Sequence, residues 1–196
     1  EGDLVECGRL PWLGGWPYYL MALLLTASVG AVQFVLGPRL TEMAGVSADV
    51  GSSLTAAALI LASVVGLVFG PLVHARGRTN PVLTVIWGGA LLAAGVLLGY
   101  GQSLPAMFAG IAALAFGAAV LTPWYGSLLR QRYPDLQGEV AGRLTSTHTL
   151  GYITGTLAGG WLLEISPEQP LLVLLPLAPA LVMLAWRAQV LSAEIV

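Results

Sequence analysis

Long apolar runs alternate with short polar breaks along almost the whole chain. A membrane-spanning helix needs about 20 mostly apolar residues. Six stretches meet that length: 16–37, 50–73, 81–101, 104–129, 141–163 and 170–190. The breaks are short, so helices adjacent in sequence are expected to run antiparallel. Pro38, Pro81, Pro105 and Pro170 fall at the expected helix ends, where a missing N–H costs least. Pro123, Pro176 and Pro179 fall inside the stretches and predict kinks. Residues 1–15 and 191–196 read as polar tails flanking one transmembrane domain, 16–190.

Composition turns the pattern into a protein class. Hydrophobic residues make up 57% of the chain and charged residues 9%, against about 25% charged in ordinary soluble domains. The mean hydropathy is +0.82. An all-α, multi-pass membrane protein is expected, because only helices and closed barrels satisfy the backbone in lipid. A net charge of −2 speaks against nucleic acid as a partner. The single cysteine, Cys7, allows no internal disulfide. No basic segment followed by a short apolar run marks a signal peptide. No phosphate-binding loop, zinc-ligand spacing or dinucleotide fingerprint is present. No cofactor or metal is expected, and the chain is not expected to drive transport with ATP itself.

Orientation follows from arginine, which supplies all eight basic residues. Arg9, Arg76, Arg78, Arg130, Arg132, Arg143 and Arg187 share one side if both termini lie there, leaving Arg39 on the other. Basic residues are retained in the cytoplasm, so both termini are expected to be cytoplasmic.

The break between the second and third stretches reads "GPLVHARGR". Gly70, Leu72, His74, Gly77 and Arg78 fit the order G-x-L-x-D-x-x-G-R, with His74 in the acidic place and Arg76 beside it. In the fifth stretch, "GYITGTLAGG" sets Gly151, Gly155, Gly159 and Gly160 on a helical face where backbones can touch. Together these segments resemble the cytoplasmic turn and the fifth-helix glycine signature of the major facilitator superfamily. Thr156 stands where that signature often has proline, and no arginine precedes Gly117 in the fourth stretch. The resemblance implies one six-helix half, built of two inverted three-helix repeats. The two departures from the pattern favour the carboxy-terminal half. It further implies a second six-helix half, from the same polypeptide or another copy, and membrane lipid around both. The turn 70–78 would be a cytoplasmic gate, and Gly151, Gly155, Gly159 and Gly160 helix-packing positions.

In that family the first and fourth helices line the central cavity, the second and fifth help form the interface between halves, and the third and sixth face lipid more. The candidate pathway residues are therefore Gln33 in the first stretch, Trp124 and Tyr125 in the fourth, and His148 and Tyr152 in the fifth. Trp124 and Tyr125 serve equally well as interfacial anchors. A buried amide such as Gln33 needs partners. The fifth stretch is the most polar, and Thr145, Thr149, Tyr152 and Thr156 share a stripe with His148 at its edge. His148 is the one side chain well inside a stretch whose ordinary titration range lies near neutrality. Aspartate and glutamate are expected only in tails and connectors, so proton coupling would rest on His148 or on the other half. The function implied is secondary transport of a small solute across the inner or plasma membrane by rocking-type alternating access.

Two other classes compete. A membrane scaffold without transport would show the same helices. An intramembrane serine hydrolase of the rhomboid kind would pair Ser127 with His148, but "YGSL" lacks that family's G-x-S-G pattern.

Overall fold

The computed structural model describes residues 12–74, 81–165, 169–172 and 174–193. They form α1 (Trp12–Ala44), α2 (Ala48–His74), α3 (Pro81–Tyr100), α4 (Leu104–Arg132), α5 (Gln137–Ile165), α6 (Gln169–Leu172) and α7 (Leu174–Ala193). A 3-10 turn, Pro134–Leu136, links α4 to α5. No strand occurs among the described residues. Three helices carry spans long and apolar enough to cross a membrane: Gly15–Ala44, Ala48–Pro71 and Leu104–Arg132. Ile86–Tyr100 and Leu174–Ala188 are shorter apolar helices. Ile60, Val64, Leu67, Leu157, Trp161 and Met183 are all at least half exposed. Apolar surface on that scale is stable in lipid rather than water.

The helices overrun the apolar stretches at several ends. α1 has 33 residues, so by helical rise it is about 50 Å long against about 30 Å of hydrocarbon. Pro38 was expected to end it but lies inside it. The helix continues because Leu36 and Leu40 are one turn apart and both buried, which holds the last turns against the bundle. It stops at Gly45, whose φ of 61° is left-handed. There Gly45 N–H donates to Glu42 O at 3.2 Å and Val46 N–H to Thr41 O at 3.4 Å, closing the free carbonyls as a Schellman cap does. α4 starts after Ser103, whose side chain accepts from Ala106 N–H, with Pro105 in the first turn. Pro123 lies inside α4. Pro176 lies close to the start of α7, and residue 173, between α6 and α7, is outside the described residues. The carboxylates of Glu42, Asp49, Glu139 and Glu164 sit in terminal helical turns rather than in connectors.

Helix pairing is selective. α1 packs along α5, and α4 along α2. α1 also packs on α7, and α4 on α3, while α3 touches α7 and α1 touches α4. α2 and α5 do not meet among the described residues. Lipid removes most of the hydrophobic drive between helices, so close approach must come from small residues. At α1–α5 a methyl carbon placed on Gly155 would overlap the Ala27 carbonyl oxygen. One on Gly151 would overlap Thr26 Oγ1, and one on Gly159 would lie 3.0 Å from Ala31 Cα. The reciprocal position on α1 is Gly30, 2.5 Å from the Tyr152 carbonyl by the same measure. At α3–α7, Gly88 and Gly95 face Val182 and Leu175. At α3–α4, Gly110 and Gly117 face Leu98 and Leu91.

Candidate functional site

With α2 and α5 apart, α1 and α4 form the floor of a groove between them. Its first part is a cavity of about 720 Å³ lined by α1, α2 and α4, including Val32, Gln33, Ser63, Leu114, Ala118 and Thr122. Its second part, about 610 Å³, lies between α2, α4 and α5 and includes Ser127, Arg130, Thr145 and His148. Gly70, Thr122 and Pro123 line both, so the two parts are continuous. The α4 positions Thr122, Pro123, Gly126, Ser127 and Arg130 recur at helical spacing on one face.

Two hydrogen bonds tie α5 to this floor. Tyr125 Oη lies 2.7 Å from His148 Nε2, linking α4 to α5, with the rings edge-on. Tyr125 is fully buried, and its next polar neighbour is Thr122 Oγ1 at 3.4 Å. A buried phenol places its proton on an acceptor; Thr122 Oγ1 and His148 Nε2 are the two within reach, and which one takes it follows the His148 tautomer. Tyr152 Oη donates to Gln33 Oε1 at 2.9 Å, linking α5 to α1. His148 and Tyr152 are four residues apart, so the two links lie about 6 Å apart along α5.

The remaining polarity of α5 is mostly self-contained. Thr147, Thr149, Thr154 and Thr156 donate to the carbonyl four residues earlier, at 2.8–3.0 Å. Such back-bonding satisfies a hydroxyl without a partner helix or water. His148 and Tyr152 reach polar side chains of other helices. Trp124 and Tyr125 both lie in the buried core, and neither they nor Tyr152 line either cavity, so of the predicted pathway residues Gln33 and His148 are the ones at the groove surface. Ser127 Oγ donates to Trp124 O at 2.9 Å. His148 therefore engages Tyr125 rather than Ser127, and the nucleophile–base contact of a serine hydrolase is not formed.

Gly70 lines both cavities. Arg76, Gly77 and Arg78 lie outside the described residues, and of His74 only the backbone, at the end of α2, is described. Two groove residues escaped the sequence reading. Ser63 sits among apolar residues in the middle of α2, and no signal sets it apart. Arg130 had been counted only for orientation. Its spacing of i+8 from Thr122 carried the signal that it shares the groove face.

At the end of the bundle bearing the start of α1 and the end of α7, Arg187 stacks over Trp16 at 5.6 Å and Tyr18 Oη donates to Ala188 O at 3.3 Å. Arg143 pairs with Glu139 one turn away on α5. At the other end of α1, Arg39 is buried and pairs with Glu42 at 3.3 Å.

A helical membrane protein with a groove lined by few polar groups is the class these features define. The family model of the Major Facilitator Superfamily matches residues 18–193, nearly the whole chain, and the chain belongs to that family of transporters. No curated protein and no solved structure gives a significant match.

Proposed function

We propose that residues 16–190 form one six-helix half of a secondary transporter, which moves a small solute by rocking-type alternating access across the inner or plasma membrane. The carrying observation is the continuous groove floored by α1 and α4 between helices that do not touch. A second half, from the same polypeptide or another copy, would close it, and the bundle would rock about that contact.

Helix pairing supports two inverted repeats. Exchanging α1, α2 and α3 for α4, α5 and α7 turns the α1–α5 contact into α4–α2 and the α1–α7 contact into α4–α3. It maps α1–α4 and α3–α7 onto themselves. That is the expectation for a pseudo-two-fold axis lying in the membrane plane. Both termini are cytoplasmic in this reading, as is the turn 70–78, which acts as a gate. The pathway residues are Gln33 and His148 on the groove wall, with Tyr152 and Tyr125 as the partners that hold them. Trp124, buried beside the floor, supports Tyr125.

The test needs no substrate. In a Cys7→Ala background, Ala115→Cys should label from outside and Ser127→Cys from the cytoplasm. A bulky maleimide on Ser127→Cys should prop the inner end open and slow outside labelling of Ala115→Cys in the double variant. Unchanged labelling at Ala115→Cys would mean a static groove and a scaffold.

A further inference from the structure

The two parts of the groove differ in chemistry. Around the first cavity, hydrocarbon side chains dominate, and the polar ones used here are Gln33, Ser63 and Thr122. Gln33 Oε1 is engaged by Tyr152, and Ser63 Oγ donates to Leu59 O at 2.9 Å. Little hydrogen-bonding capacity is left there for a sugar or other polyol, which would lose its water without replacement. Among the described residues no aspartate or glutamate lines either cavity, so these residues offer a solute cation no counter-charge.

The second cavity carries positive charge. Arg130 lines it and makes no ion pair among the described residues. Glu139, on the first turn of α5, is engaged by Arg143, and Asp135 in the connector lines neither cavity. His148 lines the same space. Its Nε2 is engaged by the Tyr125 hydroxyl at 2.7 Å. Nδ1 makes no hydrogen bond among the described residues, and when it carries a proton it is a donor for a ligand.

We propose that this groove binds an amphipathic monoanion. Its apolar body lies between α1, α2 and α4, and its single carboxylate, sulfonate or phosphate group meets Arg130 and the His148 ring. The inference deepens the transporter reading by naming a solute class, but its binding test does not depend on movement. An arginine–oxyanion contact is charge-assisted and geometrically selective. The apolar cavity is of the size that holds small organic ligands. The same chemistry is carried by a soluble organic acid and by an anionic lipid headgroup.

The test uses the whole protein in phosphatidylcholine nanodiscs, with empty discs as the blank. The probe is 11-(dansylamino)undecanoic acid, compared with its methyl ester and with the dansylated alkylammonium of equal length. The acid should bind about tenfold tighter than the ester, the scale of one charge-assisted hydrogen bond. Arg130→Gln, at an exposed position, should bring the acid to the ester's affinity and leave the ester unchanged. Ala115→Leu should weaken both probes by filling the apolar part. Ala119→Leu, which lines the same part, replaces it if the first variant aggregates. Adding phosphatidylglycerol separates the sources. Loss of acid binding alone identifies a lipid headgroup as the natural occupant, and no change identifies a soluble acid. Equal binding of acid and ester, tighter binding of the ammonium, or binding of none of the probes overturns the proposal. Discriminating probes with static cysteine labelling would keep the anion site and remove alternating access; the reverse result would do the opposite.

Discussion

Gly155 is the position where this fold has least room, and Gly155→Ala is the smallest change that tests it. A methyl carbon there would overlap the Ala27 carbonyl oxygen and sit 2.6 Å from Ala27 Cα. Carbon atoms pack best at about 3.5–4.0 Å, so α1 and α5 must part by roughly 1 Å. The neighbour is backbone and has no rotamer to change. The same shift loosens Gly151 against Leu23 and Thr26, and Gly159 against Ala31. Overpacking of this kind costs about 1–3 kcal/mol. In domains near this size, 1 kcal/mol moves the melting temperature by about 2–4 °C. A loss of several degrees is therefore expected in a detergent melting curve read by size-exclusion chromatography. The internal control is on the same helix. A methyl on Gly142 would meet nothing within 4 Å, and replacing an open helical glycine by alanine gains up to about 1 kcal/mol. Gly142→Ala should therefore melt at or above the parent temperature. Gly159→Ala, with Ala31 Cα at 3.0 Å, should fall between. Ala27→Gly should not rescue Gly155→Ala, because the blocking atoms are main chain. Equal melting of Gly155→Ala and Gly142→Ala would refute the close α1–α5 contact.

Other outcomes follow from single features. Gly45→Ala meets no side-chain clash but forces a left-handed φ on alanine, at about 1–2 kcal/mol; its melting temperature should fall, while Gly45→Asn falls less. Tyr125→Phe removes the α4–α5 link and leaves His148 Nε2 without its partner, a loss of about 0.5–1.5 kcal/mol; an unchanged melting temperature would mean the link is not formed in the membrane. Single cysteines at Asp135 and Gln102, in a Cys7→Ala background, should react with impermeant maleimide from opposite sides, Asp135→Cys from the cytoplasm; reaction from the same side defeats the proposed topology.

Most of the helices could be read from sequence, because a charge-poor run of this length has few other stable forms. The apolar pattern did not show where helices end. The pattern reports where lipid lies, whereas the backbone continues until a cap such as Gly45 closes it. The glycine array of α5 was visible, since small residues at i and i+4 can only make a smooth face. Its partner was not visible. Ala27, Gly30 and Ala31 on α1 look like ordinary apolar filler until the two helices are laid together.

For the site, sequence alone separated polar candidates from the apolar background but could not rank them. The threonines of α5 and the pair His148 and Tyr152 look equally polar on a helical wheel. Only the folded chain separates hydroxyls that bond their own helix from side chains that reach another. Trp124 and Tyr125 are adjacent in sequence and both enter the core, yet only Tyr125 is directed at His148, because neighbours on a helix point about 100° apart. Arg130 as a groove residue, the pairing of His148 with Tyr125 and the division of the groove into an apolar part and a basic part all depend on which helices lie side by side. Sequence periodicity describes one helix at a time. A site assembled from four of them is decided by backbone contacts that only the tertiary structure brings together.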